Sequence, residues 1–241
     1  MFIAEIGLNH KGSTTKAFKM LKELISTDID AITFQIPKPL FYEKTKEWGG
    51  PLSRDFYKDA IDFVHKNNKL IGFAVQDKDM VSFLNLAGAD FYKTLSTSIV
   101  YDALLNELQK TKKLIFVSTG ISSESQIVKI SKKLKNIKFI HTQLSQKLED
   151  SNLRAINRLR KVTKKEIAFG LHCVNHQVLY LSVAFEPSDV FFYVKDNSNE
   201  KFPDDEHAIM IHNVNTVVNI MKKLKKAIGN GIKKNIKNKI T

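Results

Sequence analysis

The chain has 241 residues, of which 43% are hydrophobic, and this is enough to build one large α/β domain. Its single cysteine, Cys173, excludes an intramolecular disulfide and suits a reducing compartment, so we expect a cytoplasmic protein. The net charge of +13 comes mostly from lysines scattered over predicted helix surfaces, without a recognised nucleic-acid motif, and we therefore expect no nucleic-acid partner. No apolar stretch is long enough to span a bilayer and no basic leader is apparent, so we also expect no membrane partner.

The chain opens with a predicted buried strand that ends in polar residues. Glu5 lies inside the apolar run 2–8, and Asn9 and His10 follow that run directly. A carboxylate inside an apolar strand is costly unless it is paired, hydrogen-bonded or bound to a cation. Two interpretations of Glu5 remain open: a functional carboxylate, or a structural one that pairs with a nearby Lys or Arg.

Strand-like and helical patterns then alternate along the rest of the chain. Further strands are predicted near 29–36, 70–75, 91–95, 113–118, 137–141, 166–171 and 189–194. Helices are predicted near 17–25, 54–67, 78–87, 101–110, 123–134, 152–161, 175–185 and 208–228. This alternation predicts an α/β fold, a (β/α)₈ TIM barrel, over residues 1–228, followed by a Lys-rich tail at 229–241. The alternative of an open doubly wound sheet lacks support because there is no glycine-rich dinucleotide fingerprint.

Two local features add detail to this pattern. Ser123 and Gln126 have the spacing of a capping box at the start of a helix. Residues 37–53 contain three prolines and two adjacent glycines and form the longest irregular stretch. We expect that stretch to be a loop over the mouth of the active site.

Polar residues stand at the predicted carboxyl ends of the strands, where a barrel of this kind carries its active site. They are Asn9, His10, Gln35, Gln76, Asp77, Lys93, Ser96, Ser118, Thr119, His141 and His172. Lys93 has three open interpretations: a cation that binds a phosphate or carboxylate, an amine that forms a Schiff base, or a structural partner of Glu5. The Ser118-Thr119-Gly120 turn precedes a predicted helix, so it is either a donor set for a phosphate or an ordinary turn.

The opening segment reads Ile3-Ala4-Glu5-Ile6-Gly7-Leu8-Asn9-His10-Lys11-Gly12-Ser13. This string resembles the start of the chains of the sialic acid (N-acetylneuraminate) synthase family. Weaker similarities follow in the same order as in the family: Phe34-Gln35, Tyr92-Lys93-Thr94-Leu95-Ser96, Ser118-Thr119-Gly120, His141, Glu149-Asp150 with Asn152-Leu153-Arg154-Ala155-Ile156, and His172. The resemblance covers roughly residues 2 to 210, as one barrel domain requires.

The resemblance implies that phosphoenolpyruvate condenses with an N-acylated amino sugar, such as N-acetylmannosamine, to give a sialic-acid-like nonulosonate in carbohydrate biosynthesis. It assigns catalysis to Glu5, Lys93 and His172, and it makes His172 a ligand of a divalent metal, Mn²⁺ or Mg²⁺. The implied substrate-binding residues are Asn9, His10, Gln35, Ser96, Ser118, Thr119 and His141. The implied partners are these small molecules and, as a possible assembly, a homodimer.

Several positions depart from the pattern of the family. Thr33 stands where the family has a Lys, and Gly170-Leu171 stands where a Ser-Asp pair precedes the metal-binding His. The second metal-binding His, expected at the end of strand eight, aligns with Val194, although His207 could supply a displaced ligand. Two alternatives therefore stay open: a barrel that has lost catalysis and binds a sugar phosphate or a partner protein, and a metal-free aldolase that uses Lys93 as a Schiff-base amine.

Overall fold

The computed structural model describes residues 1–196 and 200–233, and the part of the predicted tail from residue 234 onward lies outside the described residues. Eight parallel strands pair in chain order, and the eighth pairs with the first, which closes the barrel. The strands are β1 (Phe2–Gly7), β2 (Ala31–Ile36), β3 (Leu70–Val75), β4 (Phe91–Thr94), β5 (Leu114–Ser118), β6 (Ile137–His141), β7 (Ile167–Gly170) and β8 (Val190–Lys195). The predicted (β/α)₈ TIM barrel is thereby confirmed.

Helices follow the strands and cover the outside of the barrel. They are α1 (Thr14–Ile25), α2 (Pro39–Lys44), α3 (Arg54–Lys66), α4 (Lys78–Ala87), α5 (Asp102–Lys110), α6 (Glu124–Lys133), α7 (Arg154–Thr163), α8 (Gln177–Ser182) and α9 (Val214–Ile228). The predicted capping box at the start of α6 is present, since Ser123 and Gln126 each bind the backbone of the other. No helix among the described residues is long and apolar enough to cross a membrane.

Two stretches differ from the sequence-based expectation. The helix predicted at 208–228 begins only at Val214, because residues 209–210 form a short strand, β9 (Ile209–Met210), that pairs with the end of β8. The stretch 37–53, predicted to be irregular, contains α2 and a single 3₁₀ turn at Lys46–Trp48. Proline at the first position of α2 favours the start of that helix, because its missing N–H would have no partner there.

The side chains of each strand alternate between the inside of the barrel and the layer of helices. The inner apolar layer contains Ile3, Ala31, Phe91, Phe116, Ile140, Ala168 and Phe191. Residues one position away, such as Ala4, Tyr92, Val117 and Phe192, belong to the larger core between the strands and the helices. The residues two positions beyond the inner layer therefore face the carboxyl end of the barrel, and this alternation decides which strand-end residues can meet there.

Candidate active site

A cleft of about 360 Å³ opens at the carboxyl end of the barrel. Six of the polar residues predicted at the strand ends line it: Gln35, Gln76, Lys93, Ser96, Ser118 and His172. Tyr193 and Asp204 also line it, although the sequence-based predictions did not include them. A concave site of this size with several convergent polar groups has the features of a small-molecule site.

A buried ion pair joins Lys93 of β4, which lines the cleft, to Glu5 of β1, which lies behind it and is not part of the lining. The Lys93 Nζ atom contacts the Glu5 carboxylate directly, and the two side chains are 7% (Lys93) and 4% (Glu5) exposed. They meet because each lies two positions beyond a residue of the inner layer, Ile3 on β1 and Phe91 on β4. The pairing offsets the cost of a carboxylate inside an apolar strand. Glu5 therefore has the lysine partner that its structural interpretation requires. Lys93 itself lines the cleft, so a substrate can reach it.

Two hydroxyl groups face the cleft beside this ion pair. The Oγ atoms of Ser96 and Ser118 lie 2.9 Å apart and hydrogen-bond to each other. Gly120 leaves the space for them, because a Cβ atom at Gly120 would lie 2.5 Å from the Ser96 Oγ atom. Hydroxyl hydrogens rotate freely, so both groups can turn toward an anionic ligand. The following helix α6 begins at Glu124, which does not line the cleft.

On the other side of the cleft, His172 lies against two aromatic rings. Its ring centroid is 5.5 Å from that of Tyr193 and 4.8 Å from that of His207. Burial, together with His207 and Lys93, lowers the pKa of His172 to about 3. Burial, together with His176, lowers the pKa of His207 to about 4. Both imidazoles are therefore neutral at pH 7, which is the form that binds a divalent metal.

Tyr193 occupies the inward-facing position at the end of β8. It is two positions beyond Phe191 of the inner layer, whereas Val194 belongs to the outer core. Its ring packs against Gly7, where the backbone has φ +56° and an added Cβ would lie 2.7 Å from the Tyr193 Cε1 atom. Burial, with the nearby carboxylates of Glu5 and Asp204, raises the pKa of Tyr193 well above its usual value. The two-residue alternation of β8 was the signal that could have identified Tyr193.

Asp204 reaches the cleft from the loop between β8 and β9. Asn9 anchors this loop, because its Oδ1 atom accepts a hydrogen bond from the Asp204 N–H at 3.1 Å. The Nδ2 group of Asn9 donates to the Val194 carbonyl at 2.8 Å, so both ends of the Asn9 amide bind the protein. Burial and the Glu5 carboxylate raise the pKa of Asp204 to about 7, and Lys93 offsets part of that rise. Asn9 thus positions a residue of the cleft and does not itself line it.

His10 is also buried and outside the cleft lining. Its Nδ1 atom accepts a hydrogen bond from the Gly12 N–H at 2.9 Å, which places the ring proton on Nε2. That Nε2 atom has no hydrogen-bond partner among the described residues. Burial lowers the pKa of His10 to about 4, so the ring is neutral at pH 7.

The structure does not bring His141 or Thr119 to the cleft. Both lie one position beyond inward-facing residues, Ile140 and Ser118, and their side chains therefore face the helices. The His141 Nε2 atom lies 3.0 Å from the Ser151 carbonyl, and the Thr119 hydroxyl donates to the Ile140 carbonyl at 2.9 Å. Burial lowers the pKa of His141. A position at the end of a strand was therefore not sufficient to place a residue in the cleft, because its side chain must also face the inside of the barrel.

Within residues 1–196 and 200–233, no group of three or more His, Cys, Asp or Glu side chains is arranged to hold a metal ion. A cation in this cleft would therefore have at most two such protein ligands and would take its other ligands from substrate and water. Such an open coordination sphere is typical of catalytic rather than structural metal sites.

Comparison with known proteins gives a consistent result. The model of the NeuB family matches residues 20–233 of the chain. The N,N'-diacetyllegionaminic acid synthase of Campylobacter jejuni is 23% identical, over 97% of this chain and 79% of that protein. The pseudaminic acid synthase of the same species is also 23% identical, over 95% of this chain and 75% of that protein.

A solved structure shares the same architecture. The N-acetylneuraminic acid (sialic acid) synthetase of Leptospira borgpetersenii, in complex with citrate, superposes with a TM-score of 0.88 at 21% identity. The match covers 98% of this chain and 87% of that one. At this identity the similarity shows the barrel fold, and the chemistry of the site has to be argued from the side chains in the cleft.

Proposed function

The chain belongs to the NeuB family, and from this premise we propose that it joins phosphoenolpyruvate to an N-acylated amino sugar of the N-acetylmannosamine type. The products would be a sialic-acid-like nonulosonate and inorganic phosphate. C3 of phosphoenolpyruvate would bond to the aldehyde carbon of the sugar, whose oxygen gains a proton. Water would add to C2 and lose a proton, and the C2–O bond to phosphate would break. The observation that carries the proposal is the one cleft shared by Lys93, the two serine hydroxyls and His172.

The side of the cleft formed by β4 and β5 suits the phosphate and carboxylate of phosphoenolpyruvate. Lys93 supplies a cation, and Ser96 and Ser118 supply two hydroxyl donors beside it. Charge-assisted hydrogen bonds to an ionised group are stronger than neutral ones. Gln35 lines the same cleft and offers both a donor and an acceptor to the substrates.

Glu5 is the proposed catalytic carboxylate. The inner face of β1 carries it, and its contact with Lys93 fixes its position next to the anion-binding groups. Held there, it is placed to accept the proton that the attacking water loses. This role and the structural pairing with Lys93 are compatible, because a carboxylate has two oxygens and several acceptor sites.

The cleft also suits a divalent cation, Mn²⁺ or Mg²⁺, and His172 is the ligand that the family resemblance assigns. Two observations fit such an ion: the imidazole of His172 is neutral at pH 7, and the buried Nε2 atom of His207 beside it has no hydrogen-bond partner among the described residues. When bound, such a cation polarises the sugar aldehyde so that it accepts the new carbon–carbon bond. His172 would orient the sugar on the side of the cleft opposite Ser96 and Ser118.

A barrel without catalysis, which binds a sugar phosphate, is the second candidate. Two residues favour it. Thr33 is buried on β2 where the family has a Lys, and Gly170 lacks the hydroxyl of the family's Ser. A Cβ atom at Gly170 would lie 2.9 Å from the Ile140 Cγ2 atom, so the surrounding packing has adapted to the glycine. This candidate predicts phosphoenolpyruvate binding without turnover.

A Schiff-base aldolase would need the Lys93 amine free to attack a carbonyl carbon. In the structure this amine is held in an ion pair with Glu5. Borohydride trapping with pyruvate or an aldehyde separates this candidate from the synthase, since only an imine is fixed covalently.

The test is phosphate release from phosphoenolpyruvate by the purified protein with Mn²⁺ or Mg²⁺ and a panel of N-acyl amino sugars. We expect release only when a sugar is present, and we expect Glu5→Gln and His172→Ala to abolish it. His65→Ala is the matched control, because His65 bonds Asp90 at 2.9 Å at the other end of the barrel and should keep wild-type activity. Absence of release with every sugar, together with calorimetric binding of phosphoenolpyruvate, would favour the barrel without catalysis.

A further inference from the structure

The inward-facing end of β8 presents a phenol to the cleft. Phe191 lies in the inner layer, and Tyr193 lines the cleft. The side chain of Val194 packs between the sheet and the helices, and its carbonyl accepts a hydrogen bond from Asn9. No histidine lies on β8. The only imidazole that β7 and β8 themselves direct into the cleft is thus His172, which follows β7.

A second imidazole arrives from the loop that follows β8. His207 is 8% exposed, and its ring lies 4.8 Å from that of His172 and 5.1 Å from that of Tyr193, centroid to centroid. This proximity is fixed by the protein. The His207 carbonyl accepts a hydrogen bond from the His176 ring at 3.2 Å, and the Ala208 N–H donates to the Asp204 carbonyl at 3.0 Å.

Two further contacts hold the same loop down on the barrel. Lys195 at the end of β8 donates to the carbonyl and carboxylate oxygens of Asp205, at 2.8 and 2.7 Å. β9 then pairs with Val194 and Lys195 directly after the loop. These contacts fix the position of His207 relative to the ends of β8 and β9.

The distance between the two rings suits a shared cation. Imidazole nitrogens bind such ions at about 2.1 Å. If the two bonds from the nitrogens to one ion meet at a right angle, the ring centroids lie about 4.6 Å apart, close to the observed 4.8 Å between His172 and His207. The Nε2 atom of His207 is buried with no hydrogen-bond partner in the described chain, which is a costly state for a polar atom that has no ligand. Asp204 Oδ1 lies 3.8 Å from that Nε2 atom, so a carboxyl oxygen also faces the pair.

We propose that His207 replaces the missing strand-eight histidine, so that His172, which lines the cleft, and His207, which lies directly beside it, together provide the two imidazole ligands of a divalent cation. Tyr193 takes the inward-facing position at the end of β8, and the loop 203–208 brings His207 next to His172 from outside the strand. The inference deepens the proposed function by naming the second ligand of its cation. Cation binding is measured without substrate, so its failure and the failure of the synthase activity can be told apart.

The experiment is a calorimetric titration of the full-length protein with Mn²⁺, followed by pulsed electron paramagnetic resonance of the bound ion. The resonance counts ¹⁴N nuclei of imidazoles that ligate the manganese. We expect one Mn²⁺ per chain with two imidazole nitrogens. His207→Ala should retain one nitrogen and bind Mn²⁺ at least about tenfold more weakly, since even indirect supporting residues of metal sites contribute that much. His172→Ala should give the same pattern.

Controls separate ligand loss from misfolding. His65→Ala removes an imidazole far from the cleft and should leave both the affinity and the nitrogen count unchanged. His207→Gln keeps a polar side chain in the loop, so it should fold even if the alanine variant does not, and it should still lose one nitrogen. Absence of Mn²⁺ binding to the wild type, or two imidazole nitrogens in folded His207→Gln, would overturn the inference.

Discussion

Each end of the barrel holds a buried carboxylate paired with a lysine, on opposite sides of the same apolar layer. At the carboxyl end, Lys93 contacts Glu5 and lies 5.3 Å from the centroid of a phenylalanine ring of that layer. At the amino end, Lys138 pairs with Asp189 at 2.9 Å and lies 5.9 Å from another such ring. Both ends thus contain a lysine, a carboxylate and a phenylalanine ring, but the residues around these groups differ.

The charges at the amino end are well matched. Asp189 accepts hydrogen bonds from Lys138 and from the Ser188 hydroxyl, and Lys138 also pairs with Glu166 at 3.0 Å. Burial alone would raise the pKa of Asp189, but the ammonium groups of Met1 and Lys138 outweigh it and hold this pKa below its usual value. Asp189 and Lys138 therefore stabilise each other in the folded protein, so this end of the barrel contributes to stability.

The groups at the carboxyl end are not matched in this way. Burial and the neighbouring Glu5 raise the pKa of Asp204 to about 7, and the buried His207 Nε2 atom has no hydrogen-bond partner in the described chain. A folded protein retains such costly groups where a ligand completes them. A buried carboxylate paired with a lysine therefore does not by itself indicate function, whereas buried polar groups without partners beside the pair do.

The largest expected effect on stability is at the amino end. Asp189→Asn should lower the free energy of unfolding by about 3 kcal/mol, because it removes the buried carboxylate that pairs with both the Lys138 and the Met1 ammonium groups. Urea unfolding measures this change. Glu166→Gln is the matched control: Glu166 is 65% exposed, so its loss should cost less than about 0.5 kcal/mol. Equal stabilities of Asp189→Asn and wild type would contradict the assignment of the amino end to stability.

A smaller effect is expected from crowding the hydroxyl pair at the carboxyl end. Gly120→Ala would place a Cβ atom 2.5 Å from the Ser96 Oγ atom, so the hydroxyl must turn away from Ser118. We expect KM for phosphoenolpyruvate to rise about tenfold, equivalent to about 1.4 kcal/mol, with little change in stability. Steady-state kinetics measures this. Ser96→Ala should raise KM by a similar factor, and combining it with Gly120→Ala should raise KM little further. Additive effects of the two substitutions would show that Gly120→Ala does not act through the Ser96 hydroxyl.

The smallest expected effect concerns pH and His10. Burial lowers the pKa of His10 from 6.5, the ordinary value of an exposed histidine, to about 4, so between these pH values only the unfolded chain binds the extra proton. The stabilisation is therefore complete above pH 6.5 and is lost as pH falls toward 4. His10 should account for about 1 kcal/mol of lost stability between pH 7.5 and 5.5. Urea unfolding at both pH values measures this loss. Between pH 7.5 and 5.5 the free energy of unfolding of His10→Gln should fall by about 1 kcal/mol less than that of the wild type, and equal decreases in the two proteins would contradict the prediction.

The sequence was sufficient to predict the barrel because each strand and helix has its own periodicity. The run 70–75 was placed correctly because strongly apolar residues form it and the turn residues Asn67 and Asn68 precede it. It was also sufficient to propose Lys93 as a partner of Glu5, because a carboxylate inside an apolar strand requires one.

The composition of the cleft was harder to predict, for two physical reasons. First, a strand end has two sides, and a shift of one residue moves a side chain from the cleft to the helices. His141 and the position of Val194 lie on the outer side, while Tyr193 lies on the inner side. Second, Asp204 and His207 come from a loop, and their approach depends on contacts with residues far away in sequence, such as Asn9.

The most direct test of the account compares Glu5→Gln with Asp189→Asn in one assay of sugar-dependent phosphate release, expressed per folded molecule. We expect Glu5→Gln to lower kcat/KM by about 100-fold or more, as loss of a catalytic acid–base group does, while Asp189→Asn stays within about twofold of wild type. A loss of similar size in both variants, or activity of Glu5→Gln within about twofold of wild type, would contradict the claim that the carboxyl end alone performs the chemistry.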